Sequence, residues 1–163
     1  RLRVVLLRDL GAPLSPFNAF QIIQGLETVG LRMKQHCSNA EKVVSFLETQ
    51  KKVTNVIYPT NHQGEIKERA KKYMQGGYGS LVGMDVGTKE NGAKFIDNLK
   101  MLYHVANIGD ARSLAIHPAT TTHSQLNDKE LLAAGVTPGY VRLSIGIEHP
   151  DDIIADIKQA LAA

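Results

Sequence analysis

Between Tyr140 and Ile145 apolar and polar side chains alternate, Val141, Leu143 and Ile145 against Tyr140, Arg142 and Ser144. A period of two marks a half-buried strand, so the first set belongs to a core and the second faces outwards, until Gly146 ends the run. Four more stretches predict strands: Val53–Tyr58, closed by Pro59; Ser80–Val86, with Val82, Met84 and Val86 opposite Leu81, Gly83 and Asp85; and short pieces around Tyr103–Asn107 and Leu114–Ile116. Helical spacing governs much of the rest. Ser15 can cap free N–H groups and Pro16 fits a first helical position. From there to about Gln50, Phe20, Ile23, Leu26, Met33, Cys37, Ala40, Val44 and Leu47 recur at helical intervals. That length exceeds an ordinary globular helix, and Gly25 and Gly30 predict a bend in its first third. Gly64–Met74 and Asn91–Leu102 predict two further helices, the second with Phe95, Leu99 and Leu102 on one stripe. Asn127 and Glu130 have the spacing of a capping box, opening a short helix that Gly135 ends. Pro150, Asp151 and Asp152 open the last helix, whose stripe reads Ile154, Ile157 and Leu161. The fold class expected is an α+β sandwich, helices covering a small, mostly antiparallel sheet.

Composition narrows the function classes. At 163 residues, 43% of them hydrophobic and 21% charged, the chain is one domain's worth of ordinary globular protein. The net charge of +3 is mild and its lysines and arginines are scattered, which argues against nucleic acid as a partner. Cys37 is the single cysteine, so no internal disulfide can form and a reducing, cytoplasmic setting is expected. No apolar run reaches membrane-spanning length and no secretion signal opens the chain. The sequence begins at Arg1 inside an apolar segment, Val4–Leu7, so a fragment of a longer protein is expected.

Several apparent motifs carry little. Gly76–Gly79 precedes a strand rather than a helix N-terminus, which reads as a turn and not a phosphate cradle. His117 and His123 lack a zinc spacing, so no metal site is expected. Cys37 sits on the apolar stripe as a small hydrophobe, and Ser113, His123 and Asp110 lack a nucleophile elbow. Two features remain. Arg142 places a rigid fork of donors, suited to a carboxylate, in a short and otherwise apolar strand; it reads either as a solvated strand residue or as a ligand. The stretch from Asn107 to His123 is long for a connection and holds Arg112, Ser113 and Thr120–Thr122; it reads either as a binding loop or as a surface excursion.

These residues carry a resemblance. Ser-Leu-Ala-Ile-His-Pro-Ala-Thr-Thr-Thr-His at 113–123 and Val-Arg-Leu-Ser-Ile-Gly-Ile-Glu at 141–148 resemble the C-terminal domain of the Cys/Met-metabolism pyridoxal-phosphate (PLP) enzymes. Arg8–Ala12, Leu14–Phe20 and Gln24–Thr28 resemble the helical region that follows the large domain in that family. Gly109–Arg112 and Ala133–Pro138 are most similar to the O-acetylhomoserine sulfhydrylase branch. The likeness covers essentially the whole chain.

The resemblance implies the small C-terminal domain of a fold-type I PLP-dependent transferase. Residues 1–52 would link to an absent PLP-binding domain, and residues 53–163 would bind the substrate carboxylate. Arg142 would grip the α-carboxylate of an amino-acid substrate similar to O-acetylhomoserine, helped by Ser113 and the amide of Leu114, while Arg112 would influence which side chain is accepted. The branch implies γ-replacement, O-acetylhomoserine and sulfide giving homocysteine and acetate, in an intact enzyme that is a homo-oligomer. The family's Schiff-base lysine motif, Ser-x-Thr-Lys, occurs nowhere in this chain. No catalytic or cofactor-binding residue is therefore assigned here, and the fragment alone is expected neither to bind PLP nor to be active. Two other readings stay open: a cystathionine γ-synthase or γ-lyase of the same family, and a non-catalytic domain that assembles through the long helix.

Overall fold

The computed structural model describes the chain from Arg1 to Ala163. Five strands, β1 (Asn55–Ile57), β2 (Leu81–Asp85), β3 (Tyr103–His104), β4 (Leu114–Ile116) and β5 (Tyr140–Ser144), form one sheet in the order β1-β2-β5-β4-β3. Every pairing is antiparallel except β3 with β4, at one edge. The strand last in sequence thus lies at the centre, with Arg142 opposite Gly83 of β2 on one side and Ile116 of β4 on the other. The helices are α1 (Pro16–Glu27), α2 (Val29–Leu47), α3 (Gly64–Tyr73), α4 (Lys89–Asp97), α5 (Asp128–Ala133) and α6 (Pro150–Ala162), preceded by a wider, π-type helix over Leu2–Leu10.

Alternation decides which face of the sheet is covered. Val141, Leu143 and Ile145 are fully buried, as are Val82 and Met84. They share one core with Ala40, Val43, Val44 and Leu47 of α2, Phe95 and Ile96 of α4, and Ile153 and Ile157 of α6. Each of the larger side chains among them contributes on the order of 1.5–3 kcal/mol by leaving water. The opposite face carries Tyr140, Arg142 and Ser144 between Gly83 and the pair Leu114 and Ile116, because residues directly opposed across antiparallel strands point the same way. It is covered only in part: a small second cluster of Ala119, Leu131 and Val136 packs against Tyr140.

By its contacts the chain separates into two units, residues 1–31 and 32–163. The first unit buries none of the residues of its π-type segment or of α1, although Ser15 caps α1 as expected by accepting from the Asn18 N–H. The expected long helix is interrupted at Thr28 and ends at Leu47, earlier than Gln50. Its apolar stripe divides accordingly: Cys37, Ala40, Val44 and Leu47 are buried, whereas Phe20, Ile23, Leu26 and Met33 are exposed.

Three further details differ from expectation. The helix expected over Asn91–Leu102 is α4, which starts at Lys89 under a Thr88 cap and stops at Asp97, so Leu99 and Leu102 pack from the following turn. On α6 Ile153 is fully buried and its neighbour Ile154 only half-buried, because Ile153, Ile157 and Ala160 are the residues turned into the core. The stretch 107–123 divides: Ser113–Ala119 are all buried, with β4 in their midst, whereas Asn107, Ile108, Ala111, Arg112, Thr120 and Thr122 are exposed. The one titratable side chain in that buried run, His117, is engaged at both ring nitrogens. Burial depresses the His117 pKa below its usual value, while its Nε2 donates to the Pro138 carbonyl at 2.8 Å and its Nδ1 meets the Thr120 hydroxyl at 2.9 Å.

Candidate functional site

Arg142 is half-buried at the middle of β5, and its guanidinium makes no hydrogen bond or ion pair within the chain. It lines a cleft of about 210 Å³ with Ile57, Tyr58, His62, Gly83 and Tyr140. Gly83 keeps that cleft open, because a Cβ there would fall 2.7 Å from a Tyr140 ring carbon and 3.1 Å from the Ile57 Cβ. Burial pushes the Tyr140 phenol up, against the opposing pull of Arg142. Two residues along the strand, on the same face, the Ser144 hydroxyl is sealed from water and has no partner. A half-buried guanidinium with no acceptor of its own, lining a cleft, is suited to an anionic ligand such as a carboxylate.

Ser113 sits just before β4 with both of its donors engaged. Its N–H donates to Glu148 Oε1 at 2.7 Å and its hydroxyl donates to Glu148 Oε2 at 2.9 Å, while that hydroxyl oxygen accepts the Gly146 N–H at 2.8 Å. Leu114 follows on β4, buried and on the Arg142 face. Arg112 is exposed and lies over the Tyr103 ring, 4.7 Å from its centroid, lining with Tyr103 and Glu148 a second cleft of about 500 Å³. The sheet register therefore brings Arg142 and Leu114 to one face, whereas Ser113 turns to Glu148 and Arg112 to Tyr103.

The segment carrying Glu148 is held from α2. The Asn39 amide, fully buried, donates to the carbonyls of Gly146 at 3.0 Å and Glu148 at 2.8 Å, and the Gln35 amide donates to Asn39 at 2.8 Å. His36 donates from Nδ1 to the Ile145 carbonyl at 2.6 Å, which leaves its Nε2 buried and unpaired. Sequence reasoning passed over Glu148, Asn39 and His36. The available signal was the pair His36 and Asn39, polar residues three apart on the apolar stripe of α2, which can be buried only against polar partners.

Residues 2–162 match the Cys/Met metabolism PLP-dependent enzyme family. The chain belongs to that family. Among curated relatives, it is 52% identical over 161 residues to an O-acetyl-L-homoserine sulfhydrylase of Leptospira meyeri, covering 98% of this chain and 36% of that protein. It is 44% identical over 169 residues to a homocysteine/cysteine synthase of Saccharomyces cerevisiae, covering 97% of this chain and 38% of the other. A crystal structure assigned as an O-acetylhomoserine (thiol)-lyase of Campylobacter jejuni, with N'-pyridoxyl-lysine-5'-monophosphate, superposes with a TM-score of 0.90 at 43% identity. That likeness covers 100% of this chain and 39% of the solved one. The chain spans little more than a third of the family members it matches.

The cofactor of the family does not fit the residues of this chain taken alone. PLP needs a lysine amine enclosed beside donors for its phosphate and a partner for its ring nitrogen. Every lysine here except the half-buried Lys67 is exposed. Lys67 lies on α3, among the charged residues Glu65, Glu68, Arg69 and Lys71.

Proposed function

We propose that this chain is the C-terminal, substrate-binding portion of a PLP-dependent O-acetylhomoserine sulfhydrylase. The whole enzyme would replace the acetate of O-acetylhomoserine by sulfide, giving homocysteine. The observation that carries this reading is Arg142, a guanidinium on the open face of the sheet with no acceptor of its own. The names of the relatives in Leptospira meyeri and Saccharomyces cerevisiae support the reaction. In this reading Arg142 grips the α-carboxylate. The Ser113–Leu114 turn frames that site from β4, and Arg112 flanks the part of the substrate that varies between acceptable amino acids. Residues 53–163 form the carboxylate-binding domain, and residues 1–52 lead from a PLP-bearing domain that supplies the lysine. Leu2, Leu10, Phe17, Leu26 and Leu31, each more than 60% exposed, are covered by that domain or by neighbouring subunits of a cytoplasmic homo-oligomer. By itself the chain is inactive.

The test is Arg142→Ala and Arg142→Lys in the full-length enzyme. Losing the guanidinium costs the amino-acid substrate about 2–5 kcal/mol in kcat/KM, mostly as a raised KM, and lysine restores little of it because it lacks the fork. An unchanged KM for the amino acid refutes the clamp. Comparing sulfide with cysteine as the thiol separates this reading from a cystathionine γ-synthase.

A further inference from the structure

We infer that Glu148 is the positioning residue of this site: its carboxylate fixes the Ser113 end of the loop, and Asn39 fixes Glu148. The inference rests on the carboxylate-clamp reading and adds to it how the clamp's loop half is held in place.

Glu148 grips residue 113 at two points, N–H to Oε1 at 2.7 Å and hydroxyl to Oε2 at 2.9 Å. Both are charge-assisted and together they allow one orientation. The Gly146 N–H then closes a ring by donating to the same hydroxyl oxygen at 2.8 Å. The Ser113 side chain therefore has its proton committed and one lone pair used before any substrate arrives. Its rotamer is set by Glu148, not by the ligand. The backbone on either side is locked in step: the Ile147 N–H donates to the Ala111 carbonyl at 2.9 Å. Gly146 admits that approach because a Cβ would lie 2.6 Å from the Arg112 carbonyl carbon and against both Glu148 Oε2 and the Ala111 oxygen. From the other side, Asn39 holds the carbonyls of Gly146 and Glu148, and His36 holds that of Ile145. Three successive links, α2 to 145–148, 145–148 to Ser113, and Ser113 into β4, connect a helix of the core to the strand whose Ile116 lies opposite Arg142.

A loop held this way presents its groups in one arrangement; released, it samples many. Misplacement by about 1 Å can cost on the order of a hundredfold in rate. Glutamine keeps the shape and one acceptor, so its amide can still hold the Ser113 N–H and offer a donor to the hydroxyl oxygen. Alanine keeps nothing.

The experiment uses the full-length holoenzyme with Glu148→Ala, Glu148→Gln and Arg142→Ala, measuring KM for the amino acid, KM for sulfide, kcat and the cofactor's absorbance. Glu148→Ala raises the amino-acid KM by about tenfold or more, leaves the sulfide KM and the absorbance in place, and Glu148→Gln recovers most of the loss. If Glu148→Ala fails to fold, Glu148→Gln decides alone, with a KM raised by about twofold to fivefold. The positioning role is overturned if the Glu148 variants bind the amino acid normally while Arg142→Ala does not, or if glutamine and alanine are equally damaging with cofactor lost. If Arg142→Ala leaves the amino-acid KM unchanged, the clamp reading falls and the inference falls with it.

Discussion

Asp156 anchors the turn from which β3 and the Ser113 loop are hung, so removing its carboxylate unseats that side of the domain. The side chain is buried on α6 and accepts three consecutive backbone N–H groups, those of Lys100 at 2.9 Å, Met101 at 2.8 Å and Leu102 at 2.9 Å. The Gln159 amide adds a fourth donor at 2.9 Å. Past the turn, the Tyr103 N–H donates to the Ser113 carbonyl at 3.1 Å. A hydrogen bond to a charged acceptor contributes about 1.5–3 kcal/mol, and water can repair part of the loss at Lys100 and Met101 but not at buried Leu102. Asp156→Ala therefore costs about 3–5 kcal/mol, and Asp156→Asn, which keeps one acceptor oxygen, about half of that. Such a loss is a large share of a domain's total of about 5–15 kcal/mol.

The same group sets an acid limit. Burial raises the Asp156 pKa, but the N–H groups of Leu102, Met101 and Lys100 and the Gln159 amide outweigh it, leaving the carboxyl below its usual 3.8. On acidification the unfolded chain takes up the proton first. The contribution of Asp156 is thus complete above about pH 4 and is lost as pH falls through the folded value. Urea unfolding followed by circular dichroism at pH 7 and at steps below pH 4 checks both claims. The gap between the parent chain and Asp156→Asn should narrow in acid. A cost below about 1 kcal/mol for Asp156→Ala at pH 7, or a gap that does not change with pH, refutes the argument.

Two other predictions follow from close approaches. In Gly92→Ala the new methyl collides with the His117 ring, at Nε2 and 2.7 Å from Cδ2, and that ring is pinned at both nitrogens. A loss of about 2–4 kcal/mol is expected despite alanine's better helix propensity, and a melting temperature equal to or above the parent's would contradict it. Cys37 is buried, and Gly77, at φ +127°, lies so close that a Cβ there would be 2.7 Å from Sγ. The native thiol should react with an aromatic disulfide reagent at least about a hundredfold more slowly than in urea, because opening must come first. Equal rates would refute the shielding.

Much of the core was legible because periodicity survives burial. The alternation at 140–145 put Val141, Leu143 and Ile145 inside, and the capping box at Asn127 and Glu130 is present with both hydrogen bonds. Where packing chooses between adjacent apolar residues, as at Ile153 and Ile154, spacing alone has no preference. The apolar residues of α1 look like any amphipathic helix in sequence, and nothing local says that this chain leaves them uncovered. At the site, Arg142 stands out as a lone cation in an apolar strand. Glu148 does not, since its significance lies in Ser113, 35 residues away. A long-range hydrogen bond leaves no periodic trace.

The order of the strands has a consequence for synthesis. β5 is the last strand to be made, yet it holds β2 on one side and β4 on the other, so neither pair can join the sheet's two halves without it. While the chain emerges from the ribosome, β1 with β2 and β3 with β4 are two-stranded fragments with open edges, prone to pair wrongly. Arg142 arrives on the strand that closes the gap. The sheet cannot close before that strand is made, and the core is finished only by α6, which follows it with Ile153 and Ile157, so a product interrupted ahead of β5 would lack both.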